Sequence, residues 1–378
     1  MALDQNGPMV QGIGDNDDGL RRAEARFANF DRATIEDVAT LAGVSVATVS
    51  RAIRGLPNVA ETTRNRVAEA AKSLNYRADP NASRLAAGRT MTIGMAVPIL
   101  GQWYFAHVVA GAASALGVAG YDLLLMGAQS GDARRRFVQD WALIRKRVDG
   151  LILVDLHLDS DEVEALQNAR AIVSTVGDRY PQFSSVTIDN RAAARNAVRH
   201  LVRLGHRRIG FIGTQPVHGR SFELEFSVPV ERRSGYRDAL DEAGISLDPS
   251  YEVSGDFAVE DGVGGMIEGG AAGMRRLLAL REPPTAIFAM SDETAFGALR
   301  SVRQAGLRIP EDISIVGFDD HEVSAVLGLT TVRQPVVRSG VLAAQYLLES
   351  LSGGPGPQHA IEDVELIVRT TTAPPPTP

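Results

Sequence analysis

The sequence predicts two kinds of structure in series: an all-α helix-turn-helix module near the N-terminus, then a two-lobed α/β body with parallel sheets. Three observations carry this. The segment at 34–54, TIEDVATLAGVSVATVSRAIR, holds two short helical patterns joined at Gly43-Val44-Ser45. From Met91 onward, short apolar runs alternate with amphipathic helical patterns, and the rhythm restarts after residue 189. The charge changes sign between the two parts: residues 31–90 carry nine Arg or Lys against six acids, a net +3, within a chain whose total is −7.

Taken in order, residues 1–31 are polar and rich in Gly, Asp and Asn, and read as a disordered arm. Ile35, Val38, Ala39, Leu41 and Ala42 give the first helix its apolar face, and Gly43 ends it. The second helix carries Val46, Ala47, Thr48, Ser50, Arg51 and Arg54, with Val49 and Ile53 expected in the module's core. A third helix is expected from Thr62, its N-cap region, to Leu74-Asn75-Tyr76. Ala82–Ala87 reads as a very short helix closed by Gly88. In the body, strands are predicted at 92–98, 122–126, 150–154, 171–176, 185–189, 208–212, 286–290 and 314–318. Helices are predicted at about 104–119, 132–147, 160–169, 190–204, 231–243 and 292–305. Wholly apolar strands mean sheets covered on both faces, and two such series suggest two similar lobes. The Gly-dense 260–272 follows no apolar strand and opens no fingerprint helix, so it reads as a flexible surface insertion and not as a dinucleotide site.

Composition narrows the class. The absence of cysteine excludes disulfides and thiolate metal sites. No apolar run approaches the roughly 20 residues of a membrane span, and the first residues lack a signal-peptide pattern, so a cytoplasmic protein with no membrane association is expected. The seven histidines (107, 157, 200, 206, 218, 321, 359) show no metal-ligand spacing, and no serine sits in a nucleophile elbow. Neither a catalytic constellation nor a cofactor or metal site is predicted. His206 reads as a structural turn residue.

The motifs ATIEDVATLAGVSVATVSRAIRG, LNYRADPNASRLAAGRTMTIG, VTIDNRAAARNAVRHLVRLGHRRIGFIG, PPTAIFAMSDETAFGAL and IPEDISIVGFDD, in this order, resemble the lactose/galactose repressor family of bacterial transcription regulators from about Ala33 to Thr371. The resemblance implies a headpiece at 32–78, a hinge helix at 79–90 and a body at 91–370 like periplasmic sugar-binding proteins, followed by a disordered tail at 371–378. It places the N-lobe at about 91–188 and 333–355, the C-lobe at about 189–332 and 356–370, and crossovers near Asp189, Thr331–Gln334 and Glu365–Arg369. It implies a homodimer on near-palindromic double-stranded operator DNA.

On that DNA, the start of the second helix faces base edges. Val46 and Ala47 would make apolar contacts there, and Arg51 is the better candidate for a bidentate guanine contact. Ser45, Thr48 and Ser50 would hold phosphates. Thr34, Arg54, Asn58, Tyr76 and Ala82 complete the expected interface, and Leu85 of the hinge helix would wedge into the minor groove. Tyr76-Arg77-Ala78-Asp79 departs from the family's usual Tyr-Arg-Pro-Asn.

In the body, a small-molecule effector is expected between the lobes at the carboxyl ends of strands. Its candidate ligands are Trp103, Tyr104 and Phe105, consecutive aromatics after the first strand, with Asp189, Arg232, Asp292 and Asp319. A forked cation with carboxylates around an aromatic floor suits a sugar-like molecule, and a nucleoside or purine is the alternative. A carbohydrate-binding protein without DNA function would leave residues 33–90 unexplained.

Overall fold

The computed structural model describes residues 33–53, 55–76, 89–128, 141–213, 227–255 and 265–377, which fall into two compact units divided between Gly88 and Arg89. The expected arm, Arg54, Ala82 and Leu85 lie outside the described residues.

In the first unit, helix α1 (Ile35–Ala42) opens with a capping box. Thr34 accepts the Asp37 amide at 3.3 Å, and the Asp37 carboxylate accepts the Thr34 amide at 2.8 Å. Gly43 ends it in the left-handed conformation, φ 62°. Helix α2 (Val46–Ile53) starts under Ser45, whose hydroxyl accepts the Thr48 amide at 3.2 Å. Helix α3 (Glu61–Ser73) closes the unit; its N-cap is Ala60 with no side-chain cap, so Thr62 is already inside the helix. Val38, Ala39, Ala42, Val49, Ala52, Val67 and Ala70 form a small core. Ile53, expected in that core, is exposed instead, because Val49 and Ala52 already fill the inward face of α2.

The second unit holds two sheets. In the N-lobe run β1 (Thr92–Val97), α4 (Trp103–Val118), β2 (Asp122–Gly127), α5 (Trp141–Ile144), β3 (Gly150–Val154), α6 (Ser160–Asn168), β4 (Val173–Val176) and β5 (Ser184–Thr187). The C-lobe follows with α7 (Asn190–Arg203), β6 (Ile209–Gly213), α8 (Ser227–Glu242), β7 (Glu252–Ser254), α9 (Gly265–Leu278), β8 (Ala286–Ala289), α10 (Asp292–Gln304), β9 (Ser314–Asp319), α11 (Glu322–Leu327) and β10 (Thr330–Arg333). The chain then returns to the N-lobe with α12 (Val336–Leu351) and β11 (His359–Ile361), and ends its strands in the C-lobe with β12 (Glu365–Ile367).

The strand orders are β2-β1-β3-β4-β5-β11 and β7-β6-β8-β9-β10-β12, one topology used twice. The sixth strands differ in direction: β11 runs parallel to β5, and β12 antiparallel to β10. Both faces of each sheet are covered. Ile93, Met95 and Val97 of β1 pack on α4 and α12, while Ala96 faces the other side with Leu151 and Leu153. Phe211, Phe288 and Phe318 pack toward α7 and α8, and Ile212, Ile287 and Ile315 toward α9 and α10.

Three departures from expectation have clear causes. Residues 265–272 begin the buried helix α9. A Cβ at Gly269 or Gly270 would collide with the backbone of Gly255 or Thr294, and one at Gly297 on α10 with that of Ile267, so the glycines allow close helix contact. Residues 359–361 belong to the N-lobe sheet, and the third crossover lies at 362–364. The expected disordered tail is instead tied down through Ala373. Thr371 is buried and donates to the Ile315 carbonyl at 2.8 Å, and His206, fully buried, binds the Ala373 carbonyl at 2.9 Å.

Candidate functional site

Three short crossings, 188–189, 334–335 and 362–364, join the lobes. A cavity of about 150 Å³ lies between them where strands end. From the N-lobe, Pro98 and Ile99 follow β1, Asp155 follows β3, and Gln102, Tyr104 and Phe105 come from the start of α4. From the C-lobe come Val228, Pro229 and Arg232 of α8, Met266 of α9, and Met290, Ser291, Glu293 and Asp319 beyond or at the ends of β8 and β9.

Arg232 is the buried centre of the C-lobe wall. Its guanidinium lies 3.5 Å above the Phe318 ring centroid. Nε donates to Asn190 at 2.9 Å, and one terminal nitrogen donates to the Met290 carbonyl at 2.7 Å. That nitrogen stands 3.8 Å from the Asp319 carboxylate, which also accepts Gln334 at 2.6 Å. Burial pushes the Asp319 carboxyl up to about 8, against the pull of Arg232. Burial likewise pushes Asp155 up to about 8, helped by the neighbouring charge of Asp178. The Tyr104 hydroxyl is driven well above its ordinary range by burial and then by Asp155. Both carboxylates sit at positive φ, 45° at Asp155 and 125° at Asp319. Such backbone strain persists only where the surroundings hold it.

Four of the seven expected effector residues therefore meet: Tyr104, Phe105, Arg232 and Asp319. Three do not line the cavity. The Asp189 side chain caps α7, accepting the Ala192 amide at 2.8 Å, and the next residue, Asn190, is the one that reaches Arg232. Asp292 is wholly buried, its oxygens occupied by Thr331 (2.5 Å), Ser324 (2.6 Å) and the His321 amide (2.9 Å). Trp103 turns to a clasp between the lobes: its Nε1 donates to Glu322 at 2.7 Å, its ring lies tilted by 32° against His107 with centroids 4.3 Å apart, and His107 meets Glu322 at 3.1 Å. Sequence reasoning missed Asp155, whose signal was an acid directly after the apolar strand GLILV.

In the first unit, Val46, Ala47 and Arg51 are exposed and Ser50 half-buried on α2, and Asn58 is exposed in the loop that follows it. Ser45 and Thr48 share a hydroxyl contact at 2.9 Å at the head of the helix. Thr34 is engaged in its capping box, and Tyr76 packs against the core. Among the described residues, no helix is long and apolar enough to cross a membrane and no group of His, Cys, Asp and Glu is arranged to hold a metal.

Comparison with known proteins matches residues 34–79 to the bacterial regulatory proteins of the lacI family and residues 198–372 to a periplasmic binding protein-like domain. The chain is 35% identical to the HTH-type transcriptional repressor CytR of Escherichia coli (strain K12), over 90% of this chain and 96% of that protein. It is 32% identical to the catabolite control protein A of Priestia megaterium, over 84% of this chain and 92% of that protein. Among solved structures, the lac repressor dimer bound to operator and the anti-inducer ONPF superposes with a TM-score of 0.76 at 29% identity, covering 91% of this chain and all of that one. The transcriptional regulator CelR in complex with cellobiose gives 0.64 at 32% identity, covering 90% and 100%.

Proposed function

Because the chain belongs to the lacI family of bacterial regulatory proteins and is therefore a DNA-binding transcriptional regulator, we propose that it represses as a cytoplasmic homodimer on a near-palindromic operator. A small hydroxyl-bearing molecule held between its lobes sets operator affinity. The observation that carries the effector reading is Arg232. A guanidinium buried against Phe318, with Asn190, Met290 and Asp319 around it, is a donor fork at the wall of the cavity between the lobes. The complexes of relatives with cellobiose and with ONPF support a ligand of this kind. Ligand closure changes the angle between the lobes, which shifts the dimer between states of different operator affinity.

At the DNA, Arg51 reads a guanine edge, Val46 and Ala47 contact thymine methyls, and Ser45, Thr48 and Ser50 hold phosphates. Leu85 wedges into the minor groove at the operator centre. The test is a gel shift of the full chain against the promoter of the neighbouring operon. Specific binding should weaken steeply with salt, and Arg51→Ala should lose discrimination at one base pair, about 1–3 kcal/mol. Leu85→Ala should weaken specific binding while the melting temperature holds. Equal affinity of the wild-type chain for operator and random duplex would sink the reading.

A further inference from the structure

The cavity has an imbalance that Arg232 does not resolve. Among its described lining residues, Asp155, Glu293 and Asp319 are acids and Arg232 is the single cation. Asp319 is matched, by Arg232 at 3.8 Å and by Gln334 at 2.6 Å. Asp155 is not. It is 9% exposed, and its buried Oδ1, packed over the Cα face of Gly177, has no hydrogen-bond partner among the described residues. Asp178 stands behind it with one oxygen taken by Ser227 at 2.6 Å and the other unpartnered in the same sense.

Resting on the reading of the cleft as an effector site, we propose that the effector carries a protonated nitrogen that seats on Asp155, so that the ligand class is an aminated, hydroxyl-bearing ring. A buried carboxyl without a partner is costly to leave in place. A ligand hydroxyl would give Asp155 a hydrogen bond and leave it protonated. An ammonium group supplies donors and also the positive charge that lets Asp155 ionise. An anionic ligand such as a sugar phosphate supplies no positive charge for Asp155 to ionise against, and is not the ligand expected at this end. The cavity, about 150 Å³ among the described residues, has room for at least one six-membered ring. Phe105, Met266, Met290 and Pro229 offer the apolar surface that covers a ring face.

Binding then displaces a proton. Asp155, pushed up to about 8, is mostly protonated at pH 7 in the free protein and gives its proton up to pair with the ligand cation. The groups acting on it are Asp178, Arg232, Asp319, Glu231 and Tyr104, with His157 3.6 Å from Asp178.

The test uses the full chain, with glucosamine, galactosamine, mannosamine and 1-amino-1-deoxysorbitol. Each is paired with its neutral hydroxyl parent, and glucose 6-phosphate is added. Melting and titration calorimetry should show at least one amine binding tenfold or more tighter than its parent, with glucose 6-phosphate not binding. That amine should release most of one proton at pH 7, read from buffers of different ionisation enthalpy, and its affinity should rise by up to about tenfold per pH unit from pH 5 toward 7, levelling off where the free amine loses its own proton. Asp155→Asn should abolish the preference while the ligand-free variant melts at or above the wild type, which separates a lost subsite from a lost fold. The proposal is overturned if no amine in the set exceeds its parent, or if Asp155→Asn keeps the preference. A neutral sugar that binds and alters operator affinity where amines do not would remove the amine and leave the effector reading standing. An amine that binds without changing operator affinity would do the reverse.

Discussion

Arg232 owes its place to several partners at once: the Phe318 face, the Asn190 side-chain oxygen, the Met290 carbonyl and the Asp319 carboxylate. Removing it takes a donor from Asn190 and from the Met290 carbonyl and leaves Asp319 with Gln334 alone in a buried wall. Arg232→Met should therefore destabilise the body by about 3 kcal/mol, the order seen when one partner of a buried pair is deleted. Its pH dependence follows from Asp319, whose carboxyl is already raised to about 8 and climbs further without the guanidinium. A raised carboxyl contributes stability at low pH that is lost as pH rises through its folded value. The deficit of Arg232→Met against wild type should thus be larger at pH 9 than at pH 5 in urea unfolding; a deficit independent of pH would show that Asp319 does not feel Arg232. Of the site, Tyr104, Phe105, Arg232 and Asp319 were legible from motif position. Asp189 and Asp292 do not line the cavity, because a sequence position fixes a loop but not where a side chain points within it. Asp189 and Asn190 are adjacent, yet one caps α7 and the other reaches Arg232.

At the scale of elements, α9 and α10 pack backbone to backbone through Gly270 and Gly297. Gly297→Val puts a branched side chain into the carbonyl of Ile267, and overpacking of this kind costs about 1–3 kcal/mol. The melting temperature should fall by several degrees, whereas Gly117→Ala on α4, where an added Cβ meets nothing within 4 Å, should not lower it. The clasp at the cleft mouth makes a separate prediction. Glu322 accepts Trp103 at 2.7 Å and meets His107 at 3.1 Å, so Glu322→Ala should speed amide hydrogen exchange at 103–107 and 321–324 while leaving the strand cores protected. The strands were legible because both faces of a covered parallel sheet demand continuous apolar runs. Helix α9 was not, because glycine-rich composition signals a turn locally, and only the neighbouring helix explains why small residues are needed there.

At the largest scale, the C-lobe is sealed by residues 371–373. Deleting the residues after Thr370 would strip His206, Ser314 and Thr330 of Ala373, Thr371 and Thr372, partners lying 2.9–3.2 Å away. Buried donors and acceptors left unpaired cost about 1–3 kcal/mol each, so this truncation should lower the melting temperature of the body by several degrees and leave the headpiece's own stability unchanged. Equal melting of truncated and full chains would return the tail to the status of a loose end.

The reuse of one strand order in both sheets also fixes a schedule. The N-lobe core contains Ala343, Ala344 and Leu347, and its sixth strand is His359–Ile361, so that lobe lacks part of its interior until the C-lobe has been synthesised. The helices at 35–73 have their whole core by residue 76. At about 5–20 residues per second, a ribosome needs on the order of 15–60 s to cover the rest. For that interval the nascent chain owns a folded helix-turn-helix and no apparatus to govern it. A messenger cut short in its last fifth would yield headpieces deaf to any metabolite.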